Sequence, residues 1–203
     1  MVTATDGVSW DHRRMSECTP DPGIRLRPLR AEDAVVIGGW GSDPVFVAHA
    51  GWTPDLPVEE YVRFWREDVI GAGRAEGPMA AVLHGDVVGT LDLHGDGEIE
   101  RELGYTVGPS SRWGRGLGSA IARAGLELAF GERGLDAVWA EALPPNTASV
   151  RILERLGMRA TGEGGSEEFL GEPSRYRQYR ITREQWWSQA GRSAASAAAR
   201  SSG

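Results

Sequence analysis

The chain has almost no cysteine: Cys18 stands alone in 203 residues. A single thiol forms no intramolecular disulfide and supplies no paired-Cys metal spacing, so Cys18 reads as a solvated bystander. Basic charge is also short, with 22 Lys and Arg against 29 Asp and Glu and a formal net charge of -7. That balance opposes nucleic-acid binding by the body of the protein and suits an amine or cationic partner. No apolar run reaches the length of a membrane span, and the residues around Asp6, Asp11, His12, Arg13 and Arg14 lack the apolar stretch of a secretory signal. The expectation is a cytoplasmic protein with no membrane association. Metal and hydrolase signatures are missing too. His84 and His94 have no partner at ligand spacing, no His-Glu-x-x-His occurs, and no serine stands in a Gly-x-Ser-x-Gly elbow. Neither a metal enzyme nor a Ser-His-Asp hydrolase is expected.

What is present fits one domain. Residues 1–22 are polar and Pro-rich, and residues 186–203 are rich in Ala and Ser; both ends are expected to be poorly ordered, around a domain over 23–185. Ile24 to Leu29 alternates as a strand, and Glu32-Asp33 suits the first turn of a helix ending near Trp40. Val58 to Ile70 sets Tyr61, Phe64, Trp65 and Val69 at helical spacing after Pro57. Met79 to Leu83 and Val87 to Leu93 form a hairpin about His84-Gly85-Asp86. A strand over Glu100 to Val107, a helix from about Gly116 to Phe130 and a strand over Asp136 to Ala142 follow. Asn146 caps a short helix that stops at Gly157, and Arg175 to Thr182 is the last strand. This order indicates a mixed α/β sheet with helices on its faces, and the hairpin excludes a purely parallel winding.

The most informative segment is Arg112-Trp-Gly-Arg-Gly-Leu-Gly-Ser119, between a strand end and the helix it opens. Its glycines let successive backbone N–H groups point into one concavity, and the helix dipole attracts an anion placed there. A pyrophosphate is the natural guest. The dinucleotide fingerprint fails, because the third small residue is replaced by Ile121 and the turn lies far from a first strand. A triphosphate loop fails as well, for want of Gly-Lys-Ser or Gly-Lys-Thr.

Trp113-Gly-Arg-Gly-Leu-Gly118 resembles the coenzyme A motif of the GNAT superfamily, and most closely that of its ribosomal-protein alanine N-acetyltransferase branch. The resemblance extends from about Ile24 to Thr182. Ile24 to Asp33 is similar to the family's opening, Leu103-Gly-Tyr-Thr-Val107 to its fourth strand, and Asn146-Thr-Ala-Ser149 to Leu156-Gly-Met158 to its Asn-x-x-Ser helix. It implies a mostly antiparallel sheet of six to seven strands, splayed between the fourth and fifth, with acetyl-coenzyme A as donor substrate and no metal. By position, Tyr105, Thr106 and Val107 would bind the pantetheine arm, Trp113, Gly114, Arg115, Gly116, Leu117, Gly118 and Ser119 the phosphates, and Asn146 and Ser149 the arm near the sulfur. The first two helices and their connection, with Trp40, Trp52, Tyr61, Phe64 and Trp65, would wall the acceptor pocket, most of these rings serving as core and one or two lining the pocket.

Acetyl transfer from a thioester to an amine needs a neutral nucleophile, a stabilised oxyanion and a proton or hydrogen bond for the departing thiolate. Positioning in a ternary complex supplies much of the rest. By family position Ser149 is the acid or donor to the thiolate. Two carboxylates compete as base: Glu168 by family position, and Glu102 at the start of the cofactor strand. Tyr176 and Tyr179 are further donors near the last strand. The reading is an acetyltransferase acting on a primary amine, either a protein N-terminus or a small molecule, as a monomer or homodimer. The alternative is a coenzyme A-binding sensor or interaction module without turnover.

Overall fold

A computed structural model describes residues 23–73 and 77–189. The expectations for residues 1–22, Cys18 included, and for the Ala/Ser-rich residues from 190 onward lie outside the described residues. Seven strands form one sheet: β1 (Arg25–Pro28), β2 (Met79–Leu83), β3 (Asp86–His94), β4 (Glu100–Val107), β5 (Ala137–Ala142), β6 (Arg159–Phe169) and β7 (Glu172–Thr182). Their order is β1-β2-β3-β4-β5-β7-β6, with β4 and β5 parallel and every other neighbouring pair antiparallel. This is the mixed, mostly antiparallel architecture that the sequence indicates.

The β2–β3 hairpin turns on two residues, His84 (φ 51°) and Gly85 (φ 100°), so Asp86 joins the strand opposite Leu83. Two central residues of positive φ match the right-handed twist of the flanking strands. Period-two alternation then divides the core. In β2, Ala80 packs with Ile37, Trp40, Phe46 and Tyr61, whereas its neighbour Ala81 packs with Ile121, Leu126 and Val138; Val87 and Val88 divide the same way in β3. A helical layer therefore covers each face. One layer holds α1 (Asp33–Gly39), α2 (Pro44–Ala50) and α3 (Val58–Phe64), and the other holds α4 (Leu117–Glu127) and α5 (Thr147–Arg155).

Two elements are absent from the sequence reading, and a third carries the packing past its domain boundary. Helix α2 was not expected, yet it has strong local signals: the Asp43 carboxylate accepts the N–H groups of Val45 and Phe46 at 3.0 and 3.1 Å, Pro44 opens the helix, and Gly51 at φ 65° ends it. Strand β6 was also not expected. Nearly all its residues are exposed, and Glu163-Gly-Gly-Ser-Glu-Glu168 is poor in strand formers; pairing with β7 at the sheet edge holds it extended. Finally, residues 183–189 form a helix, α6, which begins where the sequence allows one, near Glu184. Thr182 and Gln185 cap it reciprocally, each side chain accepting the other's backbone N–H at 3.2 and 3.0 Å. Trp186 is buried on the core beside Phe130, with the Arg123 guanidinium 5.6 Å from its ring centre, so packing runs past the expected boundary at 185.

Candidate active site

The site begins where two strands part. The parallel ladder between β4 and β5 has three rungs, Glu100↔Ala137, Arg101↔Val138 and Glu102↔Trp139, while β5 continues against β7 as far as Ala142. The N–H of Gly108 donates to the carbonyl of Val88 at 3.2 Å. In an antiparallel ladder hydrogen-bonded pairs alternate, so Thr106 and Gly104 also turn their backbone groups to β3, and Tyr105 and Val107 turn theirs into the wedge. Thr106, expected to bind cofactor through its backbone, is thus engaged with Thr90. The Val107 carbonyl accepts the indole N–H of Trp113 at 2.7 Å, which pins the glycine turn to the end of β4.

That turn has the conformation an anion cradle requires. Gly114 and Gly116 have φ of 73° and 80°, and a Cβ added to either would meet nothing within 4 Å. Their reason for being glycine is therefore backbone conformation, with an open approach above it. Gly116 caps α4 without any side-chain hydrogen bond, which leaves the first-turn N–H groups, those of Leu117, Gly118 and Ser119, turned toward that opening. Gly118 differs: its Cβ would stand 2.8 Å from Ile152 Cδ1, so it also serves the packing of α4 on α5. Arg115 is exposed, whereas Arg112 is turned inward and donates to the carbonyls of Val87 and Gly108 at 2.8 and 3.1 Å. The Trp113 ring meets that of His49 edge-on, with centres 5.0 Å apart, and His49 in turn meets Phe169 of β6.

Across the wedge, Asn146 caps α5 by accepting the Ser149 N–H at 3.2 Å, as its position in the sequence indicates. The Ser149 hydroxyl lies 3.1 Å from the phenolic oxygen of Tyr105. Burial pushes the Tyr105 phenol up to about 12, despite the opposing contact with Ser149, so it stays protonated at neutral pH. The side chain of Tyr105 was not singled out in the sequence.

The opposite face of the same strand carries carboxylates. Since Leu91, Leu93, Leu103, Ala140 and Tyr179 face α4 and α5, alternation turns Asp92, His94, Glu102, Glu141, Tyr176 and Gln178 the other way. His94 Nδ1 is 3.3 Å from an Asp92 carboxylate oxygen, and the Gln178 amide donates to Glu141 at 2.7 Å. Burial raises the pKa of Glu102, opposed by His94 and reinforced by Glu141 and Asp92. Burial also raises that of Tyr176, with Glu167, Glu141 and Glu102 adding to the effect. Glu168 is not with them. It is exposed near the tip of the β6–β7 hairpin, where it lines a cleft of about 410 Å³ with Ser42, Val47, Asp55, Leu56 and Leu170. Tyr179 is buried in the core, on the face away from this group. Of the aromatic residues in that part of the chain, Trp40 and Tyr61 are buried, Trp52 packs edge-on against Phe46 and tilted against Tyr61, Trp65 lies beside Trp52, and Phe64 is exposed.

The parted parallel pair thus lies beside a helix start at Gly116 that no side chain caps. Residues 24–159 match the family described as acetyltransferase (GNAT) domain. The chain belongs to the GNAT acetyltransferases. It is 28% identical over 144 residues to an uncharacterized N-acetyltransferase p20 of Bacillus licheniformis, spanning 68% of this chain and 80% of that protein. Among solved structures, it is similar to Mycobacterium smegmatis RimJ in complex with CoA-disulfide, with 27% identity, a TM-score of 0.69 and coverage of 86% and 89% of the two chains. The fold is shared with spermidine N-acetyltransferase from Vibrio cholerae, solved with CoA and spermine, at 17% identity, a TM-score of 0.66 and coverage of 81% and 98%. This GNAT protein is therefore an acetyl-coenzyme A-dependent N-acetyltransferase. The parting of β4 from β5 leaves the glycine turn and Ser149 on the α4–α5 side of the sheet and Glu102 on the other.

Proposed function

We propose that the protein transfers an acetyl group to a primary amine by direct attack in a ternary complex, with the acceptor entering on the α1–α3 face of the sheet. The observation that carries this reading is the end of the β4–β5 ladder at Glu102↔Trp139. It opens a passage between an anion cradle on one face and a half-buried carboxylate on the other. The donor supplies an activated thioester carbonyl; the N–H groups from Gly116 to Ser119 hold its phosphates, with Trp113, Gly114 and Arg115 shaping the approach. Tyr105 and Val107 offer backbone groups to the pantetheine arm. Asn146 fixes the start of α5, and Ser149 donates a hydrogen bond to the departing sulfur.

Glu102 is the base in this reading. A carboxylate raised by burial is better matched to taking a proton near neutral pH than an exposed one, and Glu102 lies at the passage itself. Glu168, exposed in the cleft, is assigned to acceptor contact. The carboxylates Asp92, Glu102 and Glu141 on one face support a cationic amine, whether the N-terminus of a protein or a small molecule such as a polyamine.

Free-thiol release from acetyl-coenzyme A, measured over a panel of N-terminal peptides, polyamines and aminoglycosides, tests this reading. The 203 residues contain no lysine, so no side-chain amine among them competes with the added acceptor. Turnover with at least one amine class is expected. Tight coenzyme A binding with no turnover on any of them would instead favour the sensor alternative. A folded Gly116→Val/Gly118→Val variant with unchanged coenzyme A affinity by calorimetry would overturn the phosphate assignment.

A further inference from the structure

We propose that Tyr105 is a positioning residue that donates its phenolic hydrogen bond to Ser149 and so commits the serine proton to the sulfur of coenzyme A. The inference rests on the reading of Ser149 given above and adds a second member to it. The two oxygens are 3.1 Å apart across 44 residues of sequence, one from the middle of β4 and the other from the first turn of α5. Both backbones are fixed. Tyr105 sits in the β3–β4 ladder opposite Leu91, and the Ser149 N–H is held by the Asn146 cap.

The direction of the bond follows from acidity. A phenol is a far stronger acid than an aliphatic hydroxyl, so the proton between them belongs to Tyr105 and Ser149 accepts it. A serine hydroxyl has one proton. With its oxygen occupied by Tyr105, that proton is free to point elsewhere, and in this proposal it is directed to the sulfur. An unpartnered serine at this helix position would instead rotate among its staggered states or bond locally to the backbone. The phenol at about 12 and an alkyl thiol near about 8.5 also decide what the pair does. Passing a proton from the phenol to a thiolate is uphill, so Tyr105 keeps its proton. The pair stabilises the thiolate by hydrogen bonding, and the thiolate takes its proton from solvent.

The consequence is measurable without an acceptor. The thiolate of enzyme-bound coenzyme A absorbs in the far ultraviolet, and its pH titration gives the pKa of the bound thiol. In the native protein that pKa should lie below the solution value by about one pH unit, a hydrogen bond to a charged group being strong enough for that. Tyr105→Phe keeps the ring in its place and Ser149→Ala removes the proximal donor. Each should return the thiol pKa toward the solution value, and the double variant should go no further than Ser149→Ala alone. Coenzyme A affinity at low pH, where the thiol is neutral, should change less than about threefold in Tyr105→Phe. If Ser149→Ala shifts the thiol and Tyr105→Phe does not, the role of Tyr105 is wrong and that of Ser149 stands. If neither variant shifts it, or their effects simply add, the coupled pair is wrong. Failure of the native protein to bind coenzyme A would remove the cofactor reading and this inference together.

Discussion

Glu102 stands opposite Trp139 on the last rung of the β4–β5 ladder, and beyond that rung the two strands share no pairing. Its pKa is raised by burial, against the opposing effect of His94 and with the support of Glu141 and Asp92. Glu102→Gln should lower kcat by about 100-fold or more, the usual scale for a lost general base, and remove the acid-side inflection of the native pH–rate profile. Stability should move the other way. A carboxyl whose pKa rises on folding contributes stability below its unfolded value and loses it as pH climbs through the folded one. At neutral pH the ionised group is a burden, so urea unfolding of Glu102→Gln should give a midpoint equal to or above that of the native chain.

Gly116 and Gly118 should fail for different reasons when changed to Ala. At Gly118 the new Cβ meets Ile152 Cδ1 at 2.8 Å, the end of a flexible side chain, and the overpacking should cost about 1 kcal/mol. Trimming the neighbour in Gly118→Ala/Ile152→Val should recover most of it. At Gly116 there is space but φ is 80°, so Ala is strained by the backbone at about 1–2 kcal/mol, and Ile152→Val should give no relief. Thermal unfolding of the four variants separates the two cases.

How far the sequence revealed this site depends on what each residue's signal was. The glycine turn and the Asn146 cap were legible because their requirements are local: positive φ at 114 and 116, and a side-chain oxygen one turn before Ser149. Strand β3 was legible as an apolar run that a tight turn at His84-Gly85 joins to β2, and β4 as the run that Pro109 ends. Strand β6 was not, since its extended form comes from β7 and little in Glu163 to Glu168 prefers it. The Tyr105–Ser149 contact joins residues 44 apart, and no local pattern encodes such a distance. Alternation along β4 does put Tyr105 and Glu102 on opposite faces, a signal within reach of the sequence alone. Glu102 and Glu168 differ in burial, and burial is set by the packed sheet and not by any local pattern.

The Arg27–Asp33 pair should set much of the stability of the first layer. Asp33 is 2% exposed and takes two hydrogen bonds from the Arg27 guanidinium at 2.6 and 2.8 Å and one from the Arg30 N–H at 2.7 Å. Burial alone would push its pKa up; these donors outweigh it, and the pKa is lowered. The sign follows: this stability is present above the unfolded carboxyl value and is lost as pH falls through the lower folded one. Asp33→Asn keeps the shape and removes the charge. Because the Arg27 side chain remains 23% exposed, the loss should be about 2–4 kcal/mol, below that of a fully buried pair. Urea unfolding at neutral pH measures it, and the difference between native and variant should shrink at the acid end.

Trp113 should matter through one proton. Its indole N–H donates to the Val107 carbonyl at 2.7 Å, in the wedge that Tyr105 and Val107 line, while its ring is 36% exposed and rests on His49. A phenyl ring in its place keeps much of that packing, so what the change removes is the bond joining the glycine turn to β4. Trp113→Phe keeps an aromatic ring against His49 and deletes the donor. A hydrogen bond of this kind is worth about 1 kcal/mol, which corresponds to roughly fivefold in an equilibrium constant. Coenzyme A affinity by calorimetry should fall by about that factor, with kcat at saturating donor nearly unchanged and the melting temperature within a few degrees of native. A large fall in kcat at saturation would mean that Trp113 acts on the reacting centre and not on the cradle, because a lost tether weakens donor binding but leaves Ser149 and Glu102 where they are.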